Sequence, residues 1–184
     1  MSIVISLLRG INVGGHNMIK MDALRAIYES LGFEDVTTNL QSGNVIFRTA
    51  KKDLGPLESQ IEDAIEKKAG FRPAVVNRTL AEMQAVAARN PFADRKDVEA
   101  KRLAVFFLAR DCGAEARARL AAIDCAPEEL HLCGERELFI HYVNGFGRPK
   151  LAAATIERIL KVPATARNWN TVRELASRPT WSTF

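Results

Sequence analysis

The spacing of hydrophobic positions changes several times along the chain, and each change marks an element. Ser2–Leu8 is an unbroken Ile/Val-rich run of strand length and predicts a buried strand. Arg9–Met18 carries Gly10, Gly14, Gly15 and two asparagines, the composition of a loop. Met21, Leu24, Ile27, Tyr28 and Leu31 recur at helical spacing and stop at Gly32. Val36–Leu40 and Val45–Phe47 read as strands around Gln41-Ser42-Gly43-Asn44, a hairpin turn whose Gly and Asn tolerate positive φ. Leu54, Leu57, Ile61, Ala64 and Ile65 predict a second amphipathic helix, ended by Gly70. Pro73–Asn77 is a short strand, and Thr79 with Glu82 forms a capping box for a third helix.

The same order then repeats. After Asn90–Ala100, a polar stretch with Pro91 and five charges, Leu103–Ala109 is an apolar strand like the first. Ala114–Ile123 is an Ala-rich helix, and Glu129–Cys133 and Leu138–Val143 are strands around Gly134-Glu135-Arg136. Lys150–Lys161 is a helix, Ala164–Asn168 a short strand and Thr171–Ser177 a last helix. Each half reads β-α-β-β-α-β-α, the order of a split β-α-β unit. The expected fold class is α+β, with two ferredoxin-like β-α-β-β-α-β subdomains, each followed by an extra helix. Residues 1–92 form the first, 93–100 a linker and 101–184 the second. The alternative is one continuous α+β domain whose order repeats by coincidence.

Composition narrows the class. The chain has 184 residues, 47% hydrophobic and 26% charged, which is that of a globular protein and excludes a disordered one. No run of 18 apolar residues exists, so no membrane span and no membrane partner are expected. The N-terminal stretch lacks a basic n-region and a cleavage site, so the expected location is the cytoplasm. Cys112, Cys125 and Cys133 are odd in number and form no CxxC, which argues against a disulfide framework. His131 and Cys133 share one face of a strand, but zinc needs closer ligand pairs and a fourth partner, so no metal is expected. No cofactor is indicated either.

Charge is uneven. Residues 1–92 hold 11 basic and 10 acidic groups, whereas Gly145–Phe184 holds seven basic and two acidic. Such an excess attracts phosphate, carboxylate or nucleic acid; the plain alternative is a solvated helix face. Two polar clusters follow from the topology. The loop after strand one and the hairpin turn after strand two lie at the same end of the first sheet. They gather Arg9, Asn12, Gly14, Gly15, Gln41, Ser42 and Asn44. Open backbone amides in a Gly-rich turn can hold an anion, although the Lys and Ser/Thr of a P-loop are missing. In the second half, Arg148, Lys150, Arg167, Asn168, Trp169 and Asn170 gather near a helix N-terminus, where orphan N–H groups and Arg forks suit an anion. Trp169 suits stacking on a ring or base, or anchoring a core, and Asn170 suits an N-cap.

Neither cluster supplies a clear acid or base. His16 is the one histidine near a cluster, and Ser42 lacks the G-x-S-x-G setting of an activated nucleophile. The grouped side chains bind and orient, and can stabilise negative charge.

Three stretches carry a family resemblance: Leu7-Leu8-Arg9-Gly10-Ile11-Asn12-Val13-Gly14-Gly15, Leu40-Gln41-Ser42-Gly43-Asn44-Val45 and Thr165-Ala166-Arg167-Asn168-Trp169-Asn170-Thr171-Val172. Together they resemble the bacterial family catalogued as domain of unknown function 1697. The resemblance runs from the first strand to the last helix. It implies ferredoxin-like subdomains, and it supplies no activity, substrate, cofactor or catalytic residue. The stretch Gly145–Lys150 departs from the family pattern by placing Pro149 where Ser or Thr is usual, which removes one N–H donor. The favoured expectation is a binding protein for a small anionic ligand bearing phosphate or carboxylate. A nucleic-acid-binding module, an enzyme on a phosphorylated or acyl substrate, and a structural or interaction protein are the alternatives.

Overall fold

The structure is a computed structural model and describes residues 1–39, 43–147 and 149–177. Gln41, Ser42 and Arg148 therefore lie outside the described residues. The chain divides into two compact units, one holding Met1–Met83 and the other Gln84–Ser177.

In the first unit, β1 (Ser2–Leu8), α1 (Met21–Ser30), β2 (Glu34–Asn39), β3 (Asn44–Thr49), α2 (Gly55–Ala69) and β4 (Val75–Thr79) follow one another, and α3 (Leu80–Ala88) comes next. The four strands form one sheet in the order β2-β3-β1-β4, with every pairing antiparallel. Helix-facing positions of the strands (Val4, Leu8, Val45, Phe47, Val75) close on Leu24, Ile27 and Tyr28 of α1 and Leu57, Ile61 and Ile65 of α2. The strand period of two meets the helix period of 3.6 along that seam. Phe33 stacks on Phe47 with ring centroids 4.4 Å apart, closing the far edge.

The second unit repeats the plan. It contains β5 (Leu103–Leu108), α4 (Gly113–Ala121), β6 (Glu129–Cys133), β7 (Glu137–His141), α5 (Ala153–Leu160), β8 (Ala164–Asn168) and α6 (Trp169–Ala176). The sheet order is β6-β7-β5-β8, again all antiparallel. Its core packs Ala104, Phe106, Leu108, Leu138 and Ile140 against Leu120, Ile156 and Leu160. The protein is thus an α+β chain built from two ferredoxin-like subdomains.

The repeat extends to single side chains. Arg78 pairs across from Ile5 and Arg167 across from Val105, each one residue before the end of its last strand. In both, Nη1 donates to the carbonyl of the preceding residue, Asn77 at 2.9 Å and Ala166 at 2.8 Å. The next residue caps the following helix. Thr79 Oγ1 accepts from Glu82 N at 3.1 Å while Glu82 Oε2 accepts from Thr79 N at 2.7 Å, the expected capping box. Asn168 Oδ1 accepts from Asn170 N at 3.0 Å. Shared geometry at matching register positions is what an internal duplication leaves.

Some boundaries differ from the sequence expectation. α5 starts at Ala153 and not at Lys150, because Ala152 is still extended and serves as its N-cap. α6 starts at Trp169, so its N-cap is Asn168 and Asn170 is already inside the first turn. β4 begins two residues later than expected, at Val75.

Candidate functional site

The first polar cluster sits where β1 ends. Leu8 N donates to Gly43 O at 2.8 Å and Arg9 N donates to Ala74 O at 2.9 Å, so the loop after β1, the turn before β3 and the start of β4 meet at one end of the sheet. The sequence-predicted residues there divide by role. Asn12 adopts positive φ and grips Ile19 twice: Oδ1 accepts from Ile19 N at 2.8 Å and Nδ2 donates to Ile19 O at 3.0 Å. Asn17 Nδ2 donates to Gly10 O at 3.1 Å. Gly14 and Gly15 form the tip of a tight turn closed by His16 N donating to Val13 O at 3.0 Å. Asn44 is buried, and its Nδ2 donates to Asn39 O at 3.3 Å across the β2–β3 turn. The amides of Asn12 and Asn44 therefore hold loops together. Arg9 is exposed at the same end.

The second cluster divides between the two faces of its sheet. Arg167 lies on the face away from the helices; it is buried, and its Nη1 also donates to Thr165 Oγ1 at 2.8 Å. Burial pushes the guanidinium down to about 10. Asn168 Nδ2 donates to Lys101 O at 3.1 Å, and the Trp169 ring lies 6.0 Å from Phe139. Asn170 is exposed. Lys150 belongs to the helix-facing side, where its N–H donates to Glu128 Oε1 at 3.3 Å. Arg167, Asn168, Trp169 and Asn170 are thus together, and Lys150 is apart from the Arg167 guanidinium.

A concave site appears where the sequence offered no motif. Between α1, the last turn of α2 and the loop leading into α1 lies a groove of about 500 Å³. Ile19, Ala23, Ala26, Ile27 and Ala69 give it an apolar floor, and Lys20 and Lys68 supply its charge. That volume falls within the range of small-molecule sites, about 300–1,000 Å³. A second hollow of about 640 Å³ continues round Lys20 to Asn12, Met21 and Asp22. Local sequence explains the shape. Alanines at positions 23 and 26 leave space that longer side chains would fill. Lys20 stands at the N-cap of α1, where a side chain without an acceptor leaves the first-turn N–H groups uncapped. Lys68 lies in the last turn of α2, where a cation also suits the helix dipole. Met18 is 64% exposed beside this groove. Among the described residues, neither Lys20 nor Lys68 has an ion-pair partner. The only sequence signal for this site was the pairing of small residues on α1 with a lysine at its cap.

The chemistry open to the groove is binding. An apolar floor takes a hydrocarbon stem, and two ammonium groups take a negative head. Among the described residues no three His, Cys, Asp or Glu side chains gather into a metal set, and no helix is long and apolar enough to cross a membrane. The thiols lie elsewhere, with Cys112 and Cys133 pushed up by burial.

Comparison with known proteins adds the family and the fold. A family model described as "Protein of unknown function (DUF1697)" matches residues 1–139. No curated protein matches the chain. Among solved structures, the conserved bacterial protein SP0830 from Streptococcus pneumoniae is similar, with a TM-score of 0.70 and 23% sequence identity, over 95% of this chain and 97% of that one.

Proposed function

Since the chain belongs to this family of proteins of unknown function, its role has to be read from its own surface, and we propose that it binds a small anionic amphiphile in the groove between α1 and α2. The ligand class is a carboxylate or phosphate on a short apolar stem. One observation carries the reading: among the described residues, Lys20 and Lys68 are the charged groups lining an otherwise largely apolar concavity. An apolar stem of four to eight carbons gains about 0.8 kcal/mol for each CH₂ it buries. The ammonium groups then select an anionic head over an alcohol or amine.

Isothermal titration with octanoate, octyl phosphate, octanol and inorganic phosphate tests this. Octanoate or octyl phosphate should bind saturably, while octanol and inorganic phosphate bind far more weakly. Ala26→Trp places an indole in the groove from an exposed helix position and should abolish binding without unfolding the protein. Lys68→Met should weaken binding by about two- to fivefold, the scale of one solvent-exposed ion pair. Equal binding of octanol and octanoate, or binding undisturbed by Ala26→Trp, would exclude the groove as the site.

A further inference from the structure

β6 is an edge strand of the second sheet, bonded to β7 alone. Arg136 O accepts from Leu108 N and Tyr142 N donates to Arg102 O, both at 2.8 Å. These bonds fix the alternation along β7. Leu138 and Ile140 also turn their N–H and C=O groups toward β5, while Glu137, Phe139 and His141 turn theirs toward β6. Their partners there are Cys133, His131 and Glu129. The N–H and C=O groups of Leu130 and Leu132 therefore point outward. Among the described residues, no hydrogen bond reaches them from outside the sheet.

The other edges each carry a guard. Val75 N and Asn77 N of β4 donate to Glu62 and Glu58. β2 is bulged between Glu34 and Thr37, with Asp35 at positive φ. In β8, Arg167 Nη1 takes the Ala166 carbonyl and Asn168 caps α6. β6 is not guarded in this way. Its register to β7 is unbroken, it holds no Pro or Lys, and its one carboxylate, Glu129, is tied to Arg95 and His141. Solvent reaches the strand: His131 is exposed, and Leu130 and Leu132 are half-buried on the helix side.

We propose that β6 is a dimerisation edge, pairing antiparallel with β6 of a second copy about a two-fold axis at His131. The strand is complementary to itself in this register. Leu130 exchanges both bonds with Leu132 of the second copy, and Leu132 does so with its Leu130, so each outward group gains a partner. The leucines meet on the helix side and leave water together. On the other side Glu129 lies opposite Cys133 of the second copy and not opposite another carboxylate. The two ends of the strand also differ in charge. Near Glu129 a single guanidinium, Arg95, serves two carboxylates, Asp97 and Glu129. Near Cys133, Arg89 and Arg117 each face one carboxylate, Glu137 and Asp111, and both lie against Gly134. Antiparallel pairing sets the acidic end of each copy beside the guanidinium-bearing end of the other, where parallel pairing would set acid on acid. The contact is isologous, so it closes at two copies. It uses residues of the second unit alone, and its failure leaves the reading of the α1–α2 groove standing.

Sedimentation velocity of the full chain from about 10 μM to about 1 mM, the range of weak association, tests this. A reversible monomer–dimer equilibrium is expected. Amide exchange followed by NMR should slow with concentration at Leu130 and Leu132 and stay level at Glu129 and His131, whose N–H groups already bond to β7. His131 is exposed at the axis, so His131→Lys sets like charges face to face and should weaken the dimer about fivefold at low salt while keeping the monomer folded. His131→Glu should do the same, and an equimolar mixture of the two variants should restore association. The proposal is overturned by a monomer throughout the range, or by open-ended assemblies of the kind that β6 pairing with β8 of another copy would build. A dimer that neither variant weakens, or that their mixture fails to restore, also overturns it.

Discussion

Gly43 is a residue whose side chain is excluded by its neighbours. Its φ is +75°, and a Cβ there would come within 2.9 Å of Ile11 Cγ1 and 3.1 Å of Leu8 Cβ. The turn and the loop after β1 can only meet because that atom is missing. Gly43→Ala should cost about 2 kcal/mol or more, from the left-handed backbone and the crowding together; a urea midpoint equal to wild type would contradict the packing described. At the edge of the second sheet, Arg95 joins two acids. Its Nε donates to Asp97 Oδ1 at 2.7 Å, and its Nη1 donates to Glu129 Oε2 at 2.9 Å. Glu129 also meets His141 Nδ1 at 3.1 Å. Arg95 holds the Asp97 carboxyl down to about 2, and Arg95 followed by His141 holds Glu129 below the usual carboxylate range. A lowered folded value means stabilisation that is complete above the unfolded value near 3.8 and is lost as pH falls toward about 2. The stability difference between wild type and Asp97→Asn should therefore be level from pH 7 to about pH 5 and shrink between pH 4 and pH 2. Urea titrations at each pH read it, and a difference independent of pH would contradict the pairing. At this scale the sequence shows which residues are polar but not what they bond to. Asn12 and Asn44 look like ligand-binding amides until their acceptors, Ile19 and Asn39, are known. Those acceptors are backbone atoms, which carry no residue signature.

Helices and strands were more legible, because period and punctuation are local properties. The runs at Ser2–Leu8 and Leu103–Leu108, the stops at Gly32 and Gly70 and the Thr79–Glu82 box all appear in the folded chain as their patterns require. The start of α5 was misplaced because apolar spacing continues through Leu151, which enters the core ahead of the helix. One arrangement between elements had no sequence pattern. β4 is an edge strand, and its outward N–H groups at Val75 and Asn77 donate to Glu62 Oε1 at 2.9 Å and Glu58 Oε1 at 2.7 Å of α2. Two carboxylates thus take the place of a fifth strand, which protects the edge from pairing with another chain. Glu58→Ala should lower stability by about 1–3 kcal/mol by leaving a donor unpaired. It should also speed hydrogen exchange at the Asn77 amide more than at Val76, whose N–H faces β1. Equal protection of Asn77 in both proteins would rule out this role for Glu58.

For the molecule as a whole, the repeated β-α-β-β-α-β order was visible because each half carries the same alternation of periods. The family resemblance was carried by the Leu7–Gly15, Leu40–Val45 and Thr165–Val172 stretches; the family match over residues 1–139 includes the first two, and the third lies beyond it. Those stretches include turns, a cap and a strand end, so their regularity is explained to a large extent by the fold. The structure also bears on the nucleic-acid alternative. Ferredoxin-like modules that bind RNA stack bases on an open sheet face. Here the residues on the faces opposite the helices are buried: Ile5, Leu7, Ile46 and Val76 beside Arg78 in one sheet, and Val105, Phe107 and Phe139 beside Arg167 in the other. What the sequence did not show was the groove, since a concavity is made by short side chains on separate elements. Amide NMR during an octanoate titration tests that groove most directly. The account predicts saturable shifts concentrated at residues 18–30 and 66–70 and absent from Ala26→Trp. Shifts centred on the Asn144–Lys150 loop or the β8–α6 junction, or no saturable shift at all, would contradict it.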